Sequence, residues 1–150
     1  SMTIYNYVKN LNDVKKRVLI AGFDRLYSSV YQSLSGLEQP VSRRTMCRTM
    51  ALEVFRFAQA NRSIFSFMFF DGRNLFHEDA EVRPFYAFMT RFVSRPRGYI
   101  AGWQPDDMPY NLLETIITTI SYQCAEGVIK LSEQAFMDHV NFYIERCIDE

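Results

Sequence analysis

The chain has 150 residues, 48% of them hydrophobic, and its 17 basic and 17 acidic side chains cancel to zero formal charge. That length fits one domain able to bury about two-thirds of its unfolded surface, and the apolar content with only five prolines excludes a disordered chain. Zero net charge argues against a general nucleic-acid binder, whose affinity grows with the phosphates it neutralises.

The charge is unevenly spread: residues 1–48 carry eight basic and three acidic groups, residues 49–150 nine and fourteen. Cys47, Cys124 and Cys147 are odd in number and widely spaced, which fits neither a disulfide framework nor a thiolate metal site. They read as small apolar residues of a reducing compartment. No signal peptide is recognisable, and the most apolar stretch, Ile64 to Phe70, is far too short to span a bilayer. A cytoplasmic protein without membrane contact is expected.

Helical periodicity dominates in chain order. Asn10 is a helix cap with Asp13 three residues on, as in a variant capping box. Val14, Val18, Phe23, Leu26, Val30 and Leu34 then recur at helical spacing. They imply one long helix, or two joined near Gly22, ending at Ser35-Gly36. A second helix is expected from about Ser42 to Ala60, with Cys47, Met50, Ala51, Val54, Phe55 and Ala58 on its apolar face. Asn61 interrupts it. Arg62 to Phe70 reads as a short, nearly all-apolar helix, with a strand as the competing reading because aromatics favour strands.

Asp71-Gly72 is expected to turn. Glu78 to Val93 supports another helix, starting near Arg83 or kinked at Pro84. Residues 94–109, with three prolines and two glycines around Trp103, read as loop. Two final helices follow, from Tyr110 to Ile129 and from Glu133 to Cys147, the second capped by Ser132. In the first, Leu113, Ile116, Ile117, Ile120, Cys124 and Val128 form one stripe, while the other side is small and nearly uncharged. That pattern suggests packing on both sides, as at a dimer interface, with a central core helix as the alternative. Phe136, Val140, Tyr143, Ile144 and Cys147 line the last helix.

Catalytic motifs are missing from this pattern. The six glycines are scattered rather than spaced to cradle phosphate, and no GxSxG elbow occurs. His77 and His139 stand in no metal-ligand spacing, and no Glu-x-x-His pair supports a di-metal bundle. No cofactor is implied, and a small helical enzyme is the least favoured reading.

Thirteen phenylalanines, nine tyrosines and seven methionines form an unusually bulky interior. Such residues either simply pack or line a cavity for a flat, apolar ligand. On the second reading, the candidate lining is Phe55, Phe65, Met68 and Phe69 from the middle of the chain. Phe85, Phe88 and Met89 would join from the next segment. Tyr122 and Gln123, with Tyr86, would supply the orienting polar groups.

Thr3-Ile4-Tyr5-Asn6-Tyr7-Val8-Lys9-Asn10 closely resembles the junction, in the TetR/AcrR family of bacterial regulators, between the DNA-recognition helix and the long connector helix. Ala60-Asn61-Arg62-Ser63-Ile64-Phe65 also resembles a stretch of that family, with Ser63 replacing its usual proline, and Glu126 to Leu131 resembles its last inter-helix junction. The resemblance spans essentially the whole chain. It implies an all-α, TetR-like C-terminal helical domain of roughly six to seven helices. Residues 1–9 would be the remnant of a recognition helix and 10–150 a ligand-binding and dimerisation domain. Tyr5, Tyr7 and Lys9 would approach the DNA backbone, positioning rather than specifying.

The last two helices would pair with those of a second copy in a homodimer, through Leu113, Ile117, Ile120, Cys124, Phe136, Val140 and Tyr143. The implied function is ligand-responsive control of transcription, most simply as a repressor. The partners would be a small apolar or aromatic effector and, in a longer protein only, operator DNA. A head-less helical sensor or protein-interaction module is the alternative.

Overall fold

The computed structural model describes residues 10–86 and 108–150. These residues are all-helical, with no strand among them. Helix α1 spans Leu11–Ser35 without a break, and the Asn10 side chain accepts the Asp13 N–H at 3.0 Å to cap it. Helix α2, Arg43–Ala60, is capped by Ser42. Asn61 accepts the Phe65 N–H and opens α3, Arg62–Ser66. Helix α5 is Met108–Ala125, and α6 is Glu133–Cys147, capped by Ser132.

Helix α2 is the central element, packing against α1, α5 and α6. The expected face of α2 is buried throughout, joined by Phe57. On α1 the face differs from expectation. Leu19, Phe23, Leu26, Tyr27 and Val30 are buried, while Val14 and Val18 remain exposed. Lys16, between those two valines, is tied to Asp79 at 3.2 Å and to Glu81 at 2.6 Å.

The expected turn at Asp71-Gly72 is instead helical. Phe67–Asp71 forms a π turn, after which α4, Gly72–Phe76, continues the same rod. Two close approaches explain the glycine. A Cβ on Gly72 would meet Leu19 Cδ1 at 2.5 Å and the Phe67 carbonyl oxygen at 2.7 Å. Gly22 plays the matching role on α1, since a Cβ there would fall 2.5 Å from Met68 Sδ. Gly22 therefore marks a close crossing rather than a bend.

The expected helix over 78–93 is absent from its first five residues. Turns occupy 78–82, followed by a 3-10 segment, Arg83–Tyr86, consistent with a proline at the first turn. The rest of that helix, the 94–107 part of the loop and Trp103 lie outside the described residues. Helix α5 stops four residues short of Ile129. Gly127, with φ of 73°, accepts the left-handed conformation, and the Val128 N–H reaches the Gln123 carbonyl at 2.9 Å. Val128, past the end of α5, is consequently exposed rather than part of its expected apolar stripe, and Cys147, the last residue of α6, is exposed as well.

Polar ties lock the helices together. Ser29 and Ser33 of α1 both donate to the Glu53 carboxylate of α2, the Ser33 bond measuring 2.9 Å. Arg56 of α2 makes a two-pronged contact with Glu133 of α6 at 2.8 and 2.7 Å. Arg44 donates to the Ile148 carbonyl at 2.8 Å, satisfying backbone beyond the end of α6. No described helix is long and apolar enough to cross a membrane.

Candidate ligand site

Phe23, on the buried face of α1, is the hub of an aromatic cluster. Phe69 meets it edge-on at 5.4 Å between ring centroids, and Tyr86 meets it edge-on at the same distance. Phe85 stacks on Phe23 at 5.5 Å and on Tyr27 at 5.8 Å, with interplanar angles of 22° and 20°. Phe65 extends the cluster through Phe69 at 4.7 Å, and Met68 is fully buried beside Gly22. Each such aromatic pair adds about 0.5–1.5 kcal/mol beyond burial alone.

Two phenols anchor the 3-10 segment to this cluster. The Tyr27 hydroxyl donates to the Phe85 carbonyl at 2.8 Å, and the Tyr86 hydroxyl donates to the Met68 carbonyl at 3.1 Å. Met68 lies in the π turn, where the helical ladder is out of step and a carbonyl can be offered sideways. Burial pushes the Tyr86 phenol upward, outweighing the opposing pull of Arg73, so it stays a protonated donor at neutral pH. The Arg73 guanidinium covers the Tyr86 ring at 5.3 Å.

The expected lining residues divide among three places. Phe65, Met68, Phe69 and Phe85 come together around Phe23. Phe55 belongs elsewhere, stacked on Phe136 at 4.3 Å across α2 and α6. Tyr122 packs against the partly exposed Phe70 at 4.6 Å, and Gln123 is half-buried near the end of α5. Phe88 and Met89 lie outside the described residues, as do Tyr5, Tyr7 and Lys9. Phe23 and Tyr27 were not singled out from sequence as ligand-site residues. Their signal was present, because both follow Leu19 on one helical face.

The expected dimer residues also divide. Leu113, Ile117, Phe136 and Val140 are at most 1% exposed within the protomer, so their surface is already used inside it. Ile120, Cys124 and Tyr143 are half-buried, and the Tyr143 hydroxyl donates to the Pro109 carbonyl at 3.0 Å. Leu112 and Phe142 are exposed on the same two helices. The tight stripe of α5 is therefore core. Any contact with a second copy must use the neighbouring face.

Other candidate chemistry is engaged structurally. Glu126 pairs with Arg62 at 2.9 Å, and His139 Nδ1 lies 2.6 Å from the Ala135 carbonyl one turn back. Among the described residues no three metal-ligating side chains converge. Burial pushes the Cys47 thiol up to about 12, which keeps it unreactive. No protein-family model matches the chain, and neither does any curated protein or solved structure.

Proposed function

We propose that this chain is the effector-binding and dimerisation part of a TetR-like, ligand-responsive transcription regulator. The observation that carries the reading is the course of α1. Its Asn10 cap directly follows the Thr3-to-Lys9 motif, and the same unbroken helix presents Phe23 and Tyr27 to the aromatic cluster. Asn10 and Phe23 are separated by about 20 Å of helix at 1.5 Å per residue. A change of packing at Phe23 is thus transmitted along a rigid rod to the end where a DNA-binding head would attach.

On this reading an apolar effector lodges among the central helices and alters the spacing of the two connector helices in a homodimer. The altered spacing changes the fit to half-sites about 34–36 Å apart. The nearly uncharged α5, with Glu114 its single charged residue, supports pairing with a second copy on its half-buried face. Operator contact belongs to a head preceding residues 3–8.

The intact mass and N-terminal sequence of the protein isolated from its native cells test the reading. A helix-turn-helix upstream of Thr3 is expected. A natural start at Met2 would overturn the regulator and leave a head-less sensor.

A further inference from the structure

We propose that residues 79–86 form a strap that opens and closes on α1 as one unit, with the Lys16 ion pair as its salt-sensitive clip. The strap requires neither an effector nor a DNA-binding head, so its failure and that of the regulator reading are separate. Lys16, Phe23 and Tyr27 stand at i, i+7 and i+11 on α1, which places all three on one helix face. The strap meets that face at both ends and between them. At one end Lys16 Nζ joins the Asp79 and Glu81 carboxylates. At the other, about 16 Å along the helix, the Tyr27 hydroxyl donates to the Phe85 carbonyl. Between these points the Phe85 and Tyr86 rings both bear on Phe23.

Internal hydrogen bonds make the strap one body. Asp79 Oδ1 accepts the Glu81 and Val82 N–H groups at 2.9 and 3.2 Å. The Asp79 carbonyl accepts those of Val82 and Arg83 at 3.1 and 2.8 Å, and the Val82 carbonyl accepts that of Phe85 at 2.9 Å. Asp79, Val82 and Phe85 recur at every third residue, the repeat of a 3-10 turn, and all three are buried or half-buried. Ala80, Glu81, Arg83 and Pro84 between them are exposed. The carboxylate that takes Lys16 is thus already fixed by two backbone donors, and holding Lys16 costs it little further freedom. Burial of Val82 and stacking of Phe85 hold the strap down without depending on salt. The clip does depend on salt, because Lys16 and Asp79 are each about a quarter open to water. Opening withdraws the Phe85 and Tyr86 rings from Phe23 together and releases the Tyr86 hydroxyl from Met68.

Amide hydrogen exchange, followed residue by residue by NMR in the purified chain, reads strap opening at the hydrogen-bonded amides of Glu81, Val82, Arg83 and Phe85. Lys16→Met keeps the apolar stem and removes the charge. It is expected to speed exchange at all four amides about fivefold, the share of one partly exposed ion pair, and to leave the α2 amides from Met50 to Ala58 unchanged. In the parent, exchange at the strap relative to α2 should rise as salt goes from about 0.01 M to about 1 M, over which the screening length falls from about 30 to about 3 Å. In Lys16→Met that rise should be lost. Asp79→Asn keeps an oxygen for the two backbone donors but not the charge, and should behave as Lys16→Met does. Tyr27→Phe, which loosens the far end, should speed Glu81 and Val82 as well as Phe85. Unchanged exchange in both Lys16→Met and Asp79→Asn, or the same salt response in parent and Lys16→Met, would overturn the clip. Equal acceleration in α2, or acceleration confined to Phe85 in Tyr27→Phe, would overturn the strap as a unit.

Discussion

The Tyr86 hydroxyl donates to the Met68 carbonyl at 3.1 Å, joining the 3-10 segment to the π turn across the aromatic cluster. Removing that hydroxyl leaves the Met68 carbonyl short of this donor while keeping the ring that meets Phe23 edge-on. Tyr86→Phe should lower unfolding free energy by about 1–2 kcal/mol. Urea denaturation followed by circular dichroism measures it, and an unchanged midpoint would show that water replaces the bond.

Two glycines at helix crossings should respond unequally to a methyl group. At Gly22 the nearest atoms belong to the flexible side chain of Met68, with the stiffer Ile64 Cγ2 farther off at 3.2 Å. At Gly72 the backbone oxygen of Phe67 stands in the way as well. Overpacking costs about 1–3 kcal/mol, and Gly72→Ala should fall at or beyond the upper end, Gly22→Ala nearer the lower. Thermal unfolding of the two variants gives the order. The reverse order would contradict this account of the π turn.

Glu133 supplies a pH signature. The hydrogen bonds from Arg56 hold its carboxyl below the usual 4.5, against a smaller desolvation effect. Because the folded value is depressed, the stabilisation is complete above pH 4.5 and is lost as pH falls through the lowered folded value. Both groups are substantially exposed, so the effect is modest. Unfolding midpoints of the parent and Glu133→Gln should differ at neutral pH and converge once the pH falls below the lowered folded value. A difference that persists in acid would assign it to packing instead.

Ile120 is the appropriate place to test pairing through α5, since it is half-buried while Ile117 is core. Ile120→Glu should retain the helical spectrum and halve the mass measured by sedimentation. An unchanged dimer mass would move the interface elsewhere. Ile117→Glu, by contrast, should unfold the protomer, because it places an unpaired carboxylate in a closed interior.

Much of the fold was legible wherever local chemistry and tertiary packing agree. Asn10 and Ser132 cap helices as their side chains allow, and the α2 stripe from Cys47 to Ala58 is buried as its spacing requires. The misread positions are those where distant contacts decide. Asp71-Gly72 has the composition of a turn, yet Gly72 is helical, and its glycine serves the close approach of Leu19 and of the Phe67 carbonyl rather than a reversal of the chain. Val14 and Val18 fit the helical spacing yet stand exposed, because the buried face of α1 runs through Leu19, Phe23 and Tyr27 instead. For the site, residue type pointed to Phe65, Met68, Phe69 and Phe85, but placing Phe55 against Phe136 required knowing that α2 crosses α6. Burial of Leu113 and Ile117 likewise follows from α5 crossing α2, which helical spacing alone does not specify.

The most direct test of regulator function is DNA binding by the natural protein, with everything its reading frame encodes upstream of Thr3. Fluorescence anisotropy would compare duplexes from its own upstream region with a scrambled duplex at one physiological salt concentration. A regulator of this kind should hold one two-fold symmetric duplex at least about a thousandfold more tightly than the scrambled one. Equal affinity for both duplexes, or no binding to either, would contradict the central claim.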